Sequence, residues 1–159
     1  MRTIILYATK HGAAREVAER ISAGLGGVDL FDLKQEKLPD LREFECVIVG
    51  SSVYAGSIRK EAKSFLAKNV EALKDKQFGI FLCGMSKGVD EEVYKKNFPE
   101  AILQTAKVKS LLGGAFDPQK AGWFERLVMR IVTKQSGYVS TIDDEKIKAF
   151  VRVFQGNGS

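Results

Sequence analysis

The chain has 159 residues, a length that suits one well-buried domain and is too short for two of ordinary size. Its composition, 45% hydrophobic and 28% charged, is that of a globular protein and argues against disorder. The net charge of +5 permits acidic partners or an anionic membrane, but basic residues are interspersed with acidic ones along the predicted helices, so we expect no nucleic-acid binding.

The first predicted element is a strand at residues 4–7, an apolar run without alternation that is typical of a parallel strand buried on both faces. A loop containing Thr9, Lys10 and Gly12 follows it, and the spacing of apolar residues then predicts a helix over 13–25. Such a loop directs backbone N–H groups and the positive end of the helix at one point, which suits a phosphate. The alternative is a glycine loop that binds nothing, because neither common nucleotide-loop spacing is present.

The remaining elements alternate between strand and helix. Strands are predicted at 28–33, 46–49, 78–83 and 109–116, and helices at 58–73, 89–106 and 143–154. This alternation predicts an α/β fold in three layers, with a parallel sheet and right-handed crossovers. Five strands in a chain of this length predict the order 2-1-3-4-5, in which a ligand lies at the carboxyl ends of the first and third strands.

Three loops at the predicted carboxyl edge carry a family resemblance. They occupy residues 9–14, 51–56 and 83–86, and with them the chain resembles the flavodoxin family over nearly its whole length. The resemblance implies a flavodoxin-like fold that holds FMN, with the phosphate in the first loop and the isoalloxazine ring between the other two. The FMN contacts that it implies are Thr9, Lys10, His11, Gly12, Ala13, Ala14, Ser51, Ser52, Val53, Tyr54, Ala55, Gly56, Cys83, Gly84, Met85 and Ser86.

The first loop departs from the family pattern. Lys10 and His11 replace hydroxyl residues, and Ala14 stands where a threonine is usual. Backbone N–H groups remain, and the charge of Lys10, His11 or Arg15 can compensate for the missing hydroxyls. These departures keep open the interpretation that the chain is a flavodoxin-like scaffold that has lost FMN.

The second loop contains the candidate for ring stacking. By the resemblance, Tyr54 stacks on the flavin, whereas the alternative is an aromatic side chain packed within its own loop. The resemblance also places a flexible peptide beside the flavin N5 atom. Residues 55–56 suit that position because glycine tolerates the backbone conformations that it requires.

An insertion at about residues 117–140 has no counterpart in short flavodoxins. Together with the flanking residues 113–116 it resembles menaquinone-dependent protoporphyrinogen oxidases of the flavodoxin type, although the chain is shorter than those proteins just after residue 137. The pattern from Trp123 to Lys134 predicts a basic amphipathic helix, which would lie on an anionic membrane. The alternatives are packing on the domain and packing on a second copy in a homodimer.

The function implied by the resemblance is that of an oxidoreductase in haem biosynthesis, which passes electrons from a reduced porphyrin through FMN to a quinone. The net charge of +5 favours it, because porphyrin carboxylates and membrane surfaces are anionic. The first alternative is a soluble flavodoxin that carries electrons between redox partners, and the second is the scaffold without FMN. We predict no catalytic side chain, since the flavin carries the chemistry.

The remaining expectations concern location and boundaries. Cys46 and Cys83 lie in apolar runs, which favours reduced thiols in a cytoplasmic protein, peripheral at most to the inner face of the membrane. A single histidine and no Cys/His cluster predict no metal site. No run reaches the about 18 apolar residues of a membrane span. We expect one domain over 1–154 and a frayed tail at 155–159.

Overall fold

The structure, a computed structural model, describes residues 2–35, 37–84, 91–113, 115–116, 139–140 and 142–155, and for 115–116 and 139–140 it describes the backbone. Within these residues the strands are β1 (Thr3–Ala8), β2 (Asp29–Asp32), β3 (Cys46–Tyr54), β4 (Ser57–Ile58), β5 (Gln77–Cys83), β6 (Ala106–Leu111), β7 (Ala115–Phe116) and β8 (Val139–Ser140). The helices are α1 (Ala13–Gly24), α2 (Lys60–Lys68), α3 (Val70–Leu73), α4 (Glu91–Asn97), α5 (Glu100–Thr105) and α6 (Asp144–Gln155), with a 3-10 turn at Leu41–Glu43.

Five strands form a parallel sheet in the order β2-β1-β3-β5-β6, which confirms the predicted order 2-1-3-4-5. The short β4 pairs antiparallel with the end of β3 and adds a sixth strand that the sequence did not predict. Ala8 is level with Ser51, and Ser52 is level with Cys83. The carboxyl ends of β1, β3 and β5 therefore lie side by side at one edge of the sheet.

Both faces of the sheet are covered by helices. Ile4 and Leu6 of β1 point to the face covered by α2 to α5, in one buried cluster with Phe65. Ile5 and Tyr7 point to the opposite face, which α1 and α6 cover. Because both faces are buried, the strand shows no alternation of apolar and polar residues, as the sequence pattern indicated.

Two glycines in the sheet make room for aromatic rings. A Cβ atom at Gly50 would lie 1.9 Å from Cζ of Phe81, and one at Gly79 would lie 2.4 Å from Cζ of Phe154. The Phe81 ring meets that of Phe150 edge to face at 6.2 Å. Aromatic side chains of α6 and β5 therefore pack directly against the backbone of the sheet.

Some element boundaries differ from those predicted. The predicted helix 58–73 starts after β4 and is divided at Asn69, whose Nδ2 donates a hydrogen bond of 2.8 Å to the carbonyl of Phe65 and ends α2. The predicted helix 89–106 is divided before α5 by Pro99, which cannot continue a helix from its N-terminal side. The predicted strand 109–116 is Ala106–Leu111, followed by the separate strand β7.

Candidate functional site

The loop between β1 and α1 has an open, preformed shape. The hydroxyl oxygen of Thr9 accepts a hydrogen bond of 2.8 Å from the backbone N–H of Gly12. Gly12 has a φ of 96°, a conformation that favours glycine, and a Cβ atom there would meet nothing within 4 Å. The first N–H groups of α1, beginning at Ala13, have no partner within the helix and can bind an anion in this space.

Four of the predicted site residues have buried side chains, namely Ala13, Ala14, Ser51 and Cys83. Ala14 is packed in the core cluster under α1, and the Ser51 hydroxyl accepts from the backbone N–H of Arg59 at 2.9 Å and donates to the carbonyl of Ser52. Burial raises the pKa of the Cys83 thiol far above its usual range. These four residues are therefore placed to meet a ligand through backbone groups and not through side chains.

Tyr54 ends β3 with half of its surface exposed, at 50%. The ammonium of Lys10 lies 5.2 Å from the centroid of its ring, so the first and second loops meet across the edge of the sheet. The sequence left open that the ring is packed inside its own loop, and its exposure shows that it is not. It is available to stack on a flat aromatic ligand.

The Ala55–Gly56 segment is the turn of the β3–β4 hairpin. Ala55 has a φ of 52° and Gly56 one of 77°, and positive φ at both central residues is characteristic of a type I′ turn. Alanine is strained in this conformation by about 1–2 kcal/mol. The strained peptide lies directly after Tyr54, at the mouth of the site.

Positive charge converges on the first loop. The pKa of His11 is lowered by its burial and by the nearby charges of Lys10 and Arg59. Arg59 Nε and the Glu61 carboxylate lie 3.8 Å apart, and both atoms are buried without a hydrogen bond. A cationic, partly buried guanidinium next to a loop of this shape is suited to an anionic ligand.

The third loop packs on the second. A Cβ atom at Gly84 would lie 3.3 Å from the carbonyl oxygen of Val53, and the Gly84 N–H donates a 3.1 Å hydrogen bond to the carbonyl of Gly113. Residues 9–14, 51–56 and 83–84 are therefore brought together at one edge. Met85 and Ser86, also predicted as contacts, lie outside the described residues.

Sequence reasoning missed Arg59 and Asn97. Asn97, at the end of α4, is 7% exposed and bonds to the backbone of the β3–β4 hairpin. An asparagine before Phe98-Pro99 predicts a helix end, but its contact with a hairpin some forty residues earlier depends on the tertiary fold. Arg59 could have been suspected only once β4 was known to turn the chain back toward β1.

The arrangement fits a ligand with a phosphate at one end and a flat ring at the other. The helix N-terminus, Lys10 and Arg59 suit the phosphate, and the exposed ring of Tyr54 suits the flat part. Among the residues that the structure describes, no group of three or more His, Cys, Asp or Glu side chains could hold a metal ion. None of the described helices is long and apolar enough to cross a membrane.

Comparison with known sequences gives a consistent family. A sequence model described as "Flavodoxin domain" matches residues 4–143. Protoporphyrinogen IX dehydrogenase [quinone] from Escherichia coli is 19% identical over 147 residues, which cover 86% of this chain and 81% of that protein. A flavodoxin from Synechocystis is 28% identical over 115 residues, 69% of this chain and 65% of that protein.

Solved structures agree on the fold. Oxidised flavodoxin 1 from Bacillus cereus superimposes with a TM-score of 0.66 at 14% identity, covering 98% of both chains. The Flv1 flavodiiron core from Synechocystis matches with a TM-score of 0.57 at 16% identity, over 71% of this chain and 30% of that one. This chain thus spans less than a third of the flavodiiron core and corresponds to one part of it.

Proposed function

Because this chain belongs to the flavodoxin domain family, we propose that it is an FMN-dependent oxidoreductase that transfers electrons from a reduced, anionic substrate of the porphyrinogen class to a quinone. It is a flavodoxin-like redox protein that uses FMN and exchanges electrons with a partner. When bound, FMN supplies the oxidation of the substrate and the return of the electrons to the acceptor. The residues of the chain supply position, access and charge.

The observation that carries the enzyme proposal is where the chain leaves and rejoins the sheet after β6. Gly113 is bonded to Gly84 in the third loop, and the N–H of Asp143 donates to the carbonyl of Leu112 at 3.2 Å. Both ends of the intervening stretch are therefore at the carboxyl edge, beside the candidate flavin loops. We propose that a stretch anchored there forms one wall of a substrate site, which a simple electron carrier does not need.

Basic groups around the mouth support an anionic substrate. The ammonium of Lys96 lies 3.9 Å from the position of a Cβ atom at Gly56, and Lys10 covers the ring of Tyr54. Lys96 is exposed, and both lysines belong to a chain of net charge +5. Carboxylates on a substrate would be attracted to this rim.

The proposed contacts follow from the placement of the loops. The phosphate of FMN would bind the N–H groups at the start of α1, with Lys10 and Arg59 supplying charge and His11 lying beside them. The ring would lie between Tyr54 and the backbone of Gly84, and the Ala55–Gly56 peptide would lie along its edge. The Thr9 hydroxyl stabilises the loop by accepting from the Gly12 N–H, and its own proton remains free to be donated to the phosphate.

The deciding experiment is a visible spectrum of the FMN-loaded protein during anaerobic incubation with protoporphyrinogen IX, followed by a menaquinone analogue. We expect the flavin absorbance to bleach as the porphyrin absorbance grows, and to return when the quinone is added. A flavin that accepts electrons from dithionite or a reductase, and not from the porphyrinogen, would contradict it.

The second candidate is a flavodoxin that carries electrons without an organic substrate of its own. The similarity to flavodoxins from Synechocystis and from Helicobacter pylori favours it, the latter at 22% identity over 96% of both chains. The same spectra identify it by reduction through a reductase alone. A purified protein that stays colourless and takes up no FMN would instead support the scaffold without cofactor.

Access to a lipid quinone is the proposed role of the insertion. The predicted basic helix at 123–134 lies outside the described residues, and its contact with a membrane, with the domain or with a second copy is a prediction. We expect binding to anionic liposomes that Arg126→Glu with Arg130→Glu abolishes, since both charges would then repel the surface. Pelleting unaffected by the double substitution would exclude the membrane contact, and sedimentation of both proteins would reveal a homodimer.

A further inference from the structure

A buried asparagine connects α4 to the hairpin that forms the mouth of the candidate site. Asn97 Nδ2 donates to the carbonyl of Gly56 at 2.8 Å and to the carbonyl of Val93 at 2.7 Å, while its Oδ1 accepts from the N–H of Ile58 at 3.2 Å. The side chain is 7% exposed. Three of its hydrogen-bonding positions are thus satisfied by backbone groups, two of them in the hairpin.

The orientation of the Asn97 amide is determined by its partners. Rotating the amide by 180° would set its oxygen against two carbonyl oxygens and its NH₂ group against an N–H. A buried polar group that loses its partners costs more than a hydrogen bond gains. The amide therefore has one satisfied orientation, and only an amide offers both a double donor and an acceptor in this space.

The contacts of Asn97 hold the hairpin just after its turn. The Gly56 carbonyl and the Ile58 N–H lie on either side of Ser57, so both peptides of Ser57 are held to α4. The Ala55–Gly56 peptide precedes them, between two residues of positive φ. At the other end of the hairpin, the Ser51 hydroxyl holds the N–H of Arg59.

We propose that Asn97 is a positioning residue for the flavin: by fixing the base of the β3–β4 turn, it sets where the Tyr54 ring and the Ala55–Gly56 peptide meet the isoalloxazine ring. This inference rests on the proposed FMN site. It assigns to a side chain outside the three loops the task of orienting one of them. Because Asn97 acts on the ring end, its loss affects FMN and riboflavin alike, whereas loss of a phosphate contact affects FMN alone.

The test compares Asn97→Asp with the matched control Asn69→Asp. Both asparagines end a helix with Nδ2 hydrogen-bonded to the carbonyl four residues earlier, but Asn69 lies at the end of α2, and within the described residues its side chain makes no hydrogen bond to the hairpin. Asn97→Asp keeps an acceptor for Ile58 and opposes two carbonyls with a carboxylate. We expect it to weaken binding of both FMN and riboflavin by about tenfold, and to shift the two one-electron midpoint potentials of bound flavin unequally, while Asn69→Asp changes neither.

If Asn97→Asp does not fold, Asn97→Ser replaces it, because the serine side chain is too short to reach these backbone groups and adds no charge. The thermal unfolding of Asn97→Ser is compared with that of Asn69→Asp. Wild-type affinity and potentials in the folded Asn97 variants would overturn the inference, as would weakening confined to FMN. A wild-type protein that binds neither flavin would instead overturn the proposed function.

Discussion

At the scale of single residues, the candidate site joins groups that are distant in the sequence. Lys10 and His11 follow β1, and Arg59 follows β4, yet the charges of Lys10 and Arg59 both act on the His11 ring. The two cations disfavour protonation of that ring in the free protein, and a bound anion would offset this effect. The single histidine of the chain makes this electrostatic environment directly measurable.

We expect an NMR titration of the His11 ring to give a pKa below the ordinary 6.5, since burial and the two cations disfavour the protonated form. Above pH 6.5 the ring is neutral in both the folded and the unfolded chain. As the pH falls from 6.5 through the lowered pKa of the folded protein, the unfolded chain binds more protons and stability declines. Inorganic phosphate or FMN should raise the pKa.

Arg59→Gln tests the source of this effect. We expect the substitution to raise the pKa of His11 and to weaken FMN binding about tenfold, because a charge-assisted contact is lost, while the affinity for riboflavin stays unchanged. Arg42→Gln is the control, because Arg42 is exposed and pairs with Asp40 near the amino end of β3. Equal weakening of FMN and riboflavin would refute a role of Arg59 at the phosphate.

Gly50 is a residue-scale requirement of packing. Gly50→Ala places a methyl group on the Phe81 ring, and we expect it to lower the free energy of unfolding by about 3 kcal/mol, at the upper end for overpacked cores. Urea unfolding measures the loss. Adding Phe81→Leu should recover at least about 0.5 kcal/mol relative to the sum of the single effects, because the two residues are in contact. Strict additivity would show that the strand shifts to absorb the methyl group.

At the scale of elements, continuous apolar runs predicted β1, β3 and β5 and hence the sheet order, because strands buried on both faces leave that pattern in any sequence. The pattern could not predict β4: two residues form a strand there because Val53 and Tyr54 lie opposite them. Asn97 was missed for the same reason, since its partners are chosen by tertiary contact and not by neighbours in sequence. The sequence predicted that the candidate-site loops lie at one edge of the sheet, but it did not predict the side chains that support them.

The start of α6 depends on a single cap. Asp143 Oδ1 accepts hydrogen bonds from the N–H groups of Glu145 and Lys146 at 3.0 and 3.2 Å. We expect Asp143→Ala to lower the free energy of unfolding by about 1 kcal/mol, whereas Asp143→Asn, which retains an acceptor, should lose less. Chemical denaturation compares the two, and equal losses would mean that charge and not capping stabilises the helix.

At the scale of the whole molecule, a net charge of +5 favours encounters with anionic molecules. The rim formed by Lys10 and Lys96 brings part of this charge to the place where electrons would enter or leave. Long-range attraction of this kind acts on the rate of encounter and is screened by salt over about 8–10 Å. We therefore expect anionic partners to meet the protein faster than cationic ones.

We expect the rate constant for reaction of the reduced, FMN-loaded protein with the anion ferricyanide to fall severalfold as the salt concentration rises. The rate constant for reaction with the cation hexaammineruthenium(III) should increase. Stopped-flow measurement of Lys96→Gln should show a flatter salt dependence for ferricyanide. Lys74→Gln, which removes the same charge near the amino end of β5, should not. Identical slopes for the two variants would mean that net charge alone governs the encounter.

The chain leaves the sheet after β6 and returns to it close by, which gives the fold one position where a segment can be exchanged. Ala115–Phe116 pair with Val139–Ser140, and the N–H of Asp143 donates to the carbonyl of Leu112, so the chain leaves the sheet and rejoins it at neighbouring points. Because these points are close together, a longer or shorter segment can replace the one between them with no change of strand register. A shared redox scaffold can in this way acquire a new substrate by transplantation of one module, while its core is inherited intact.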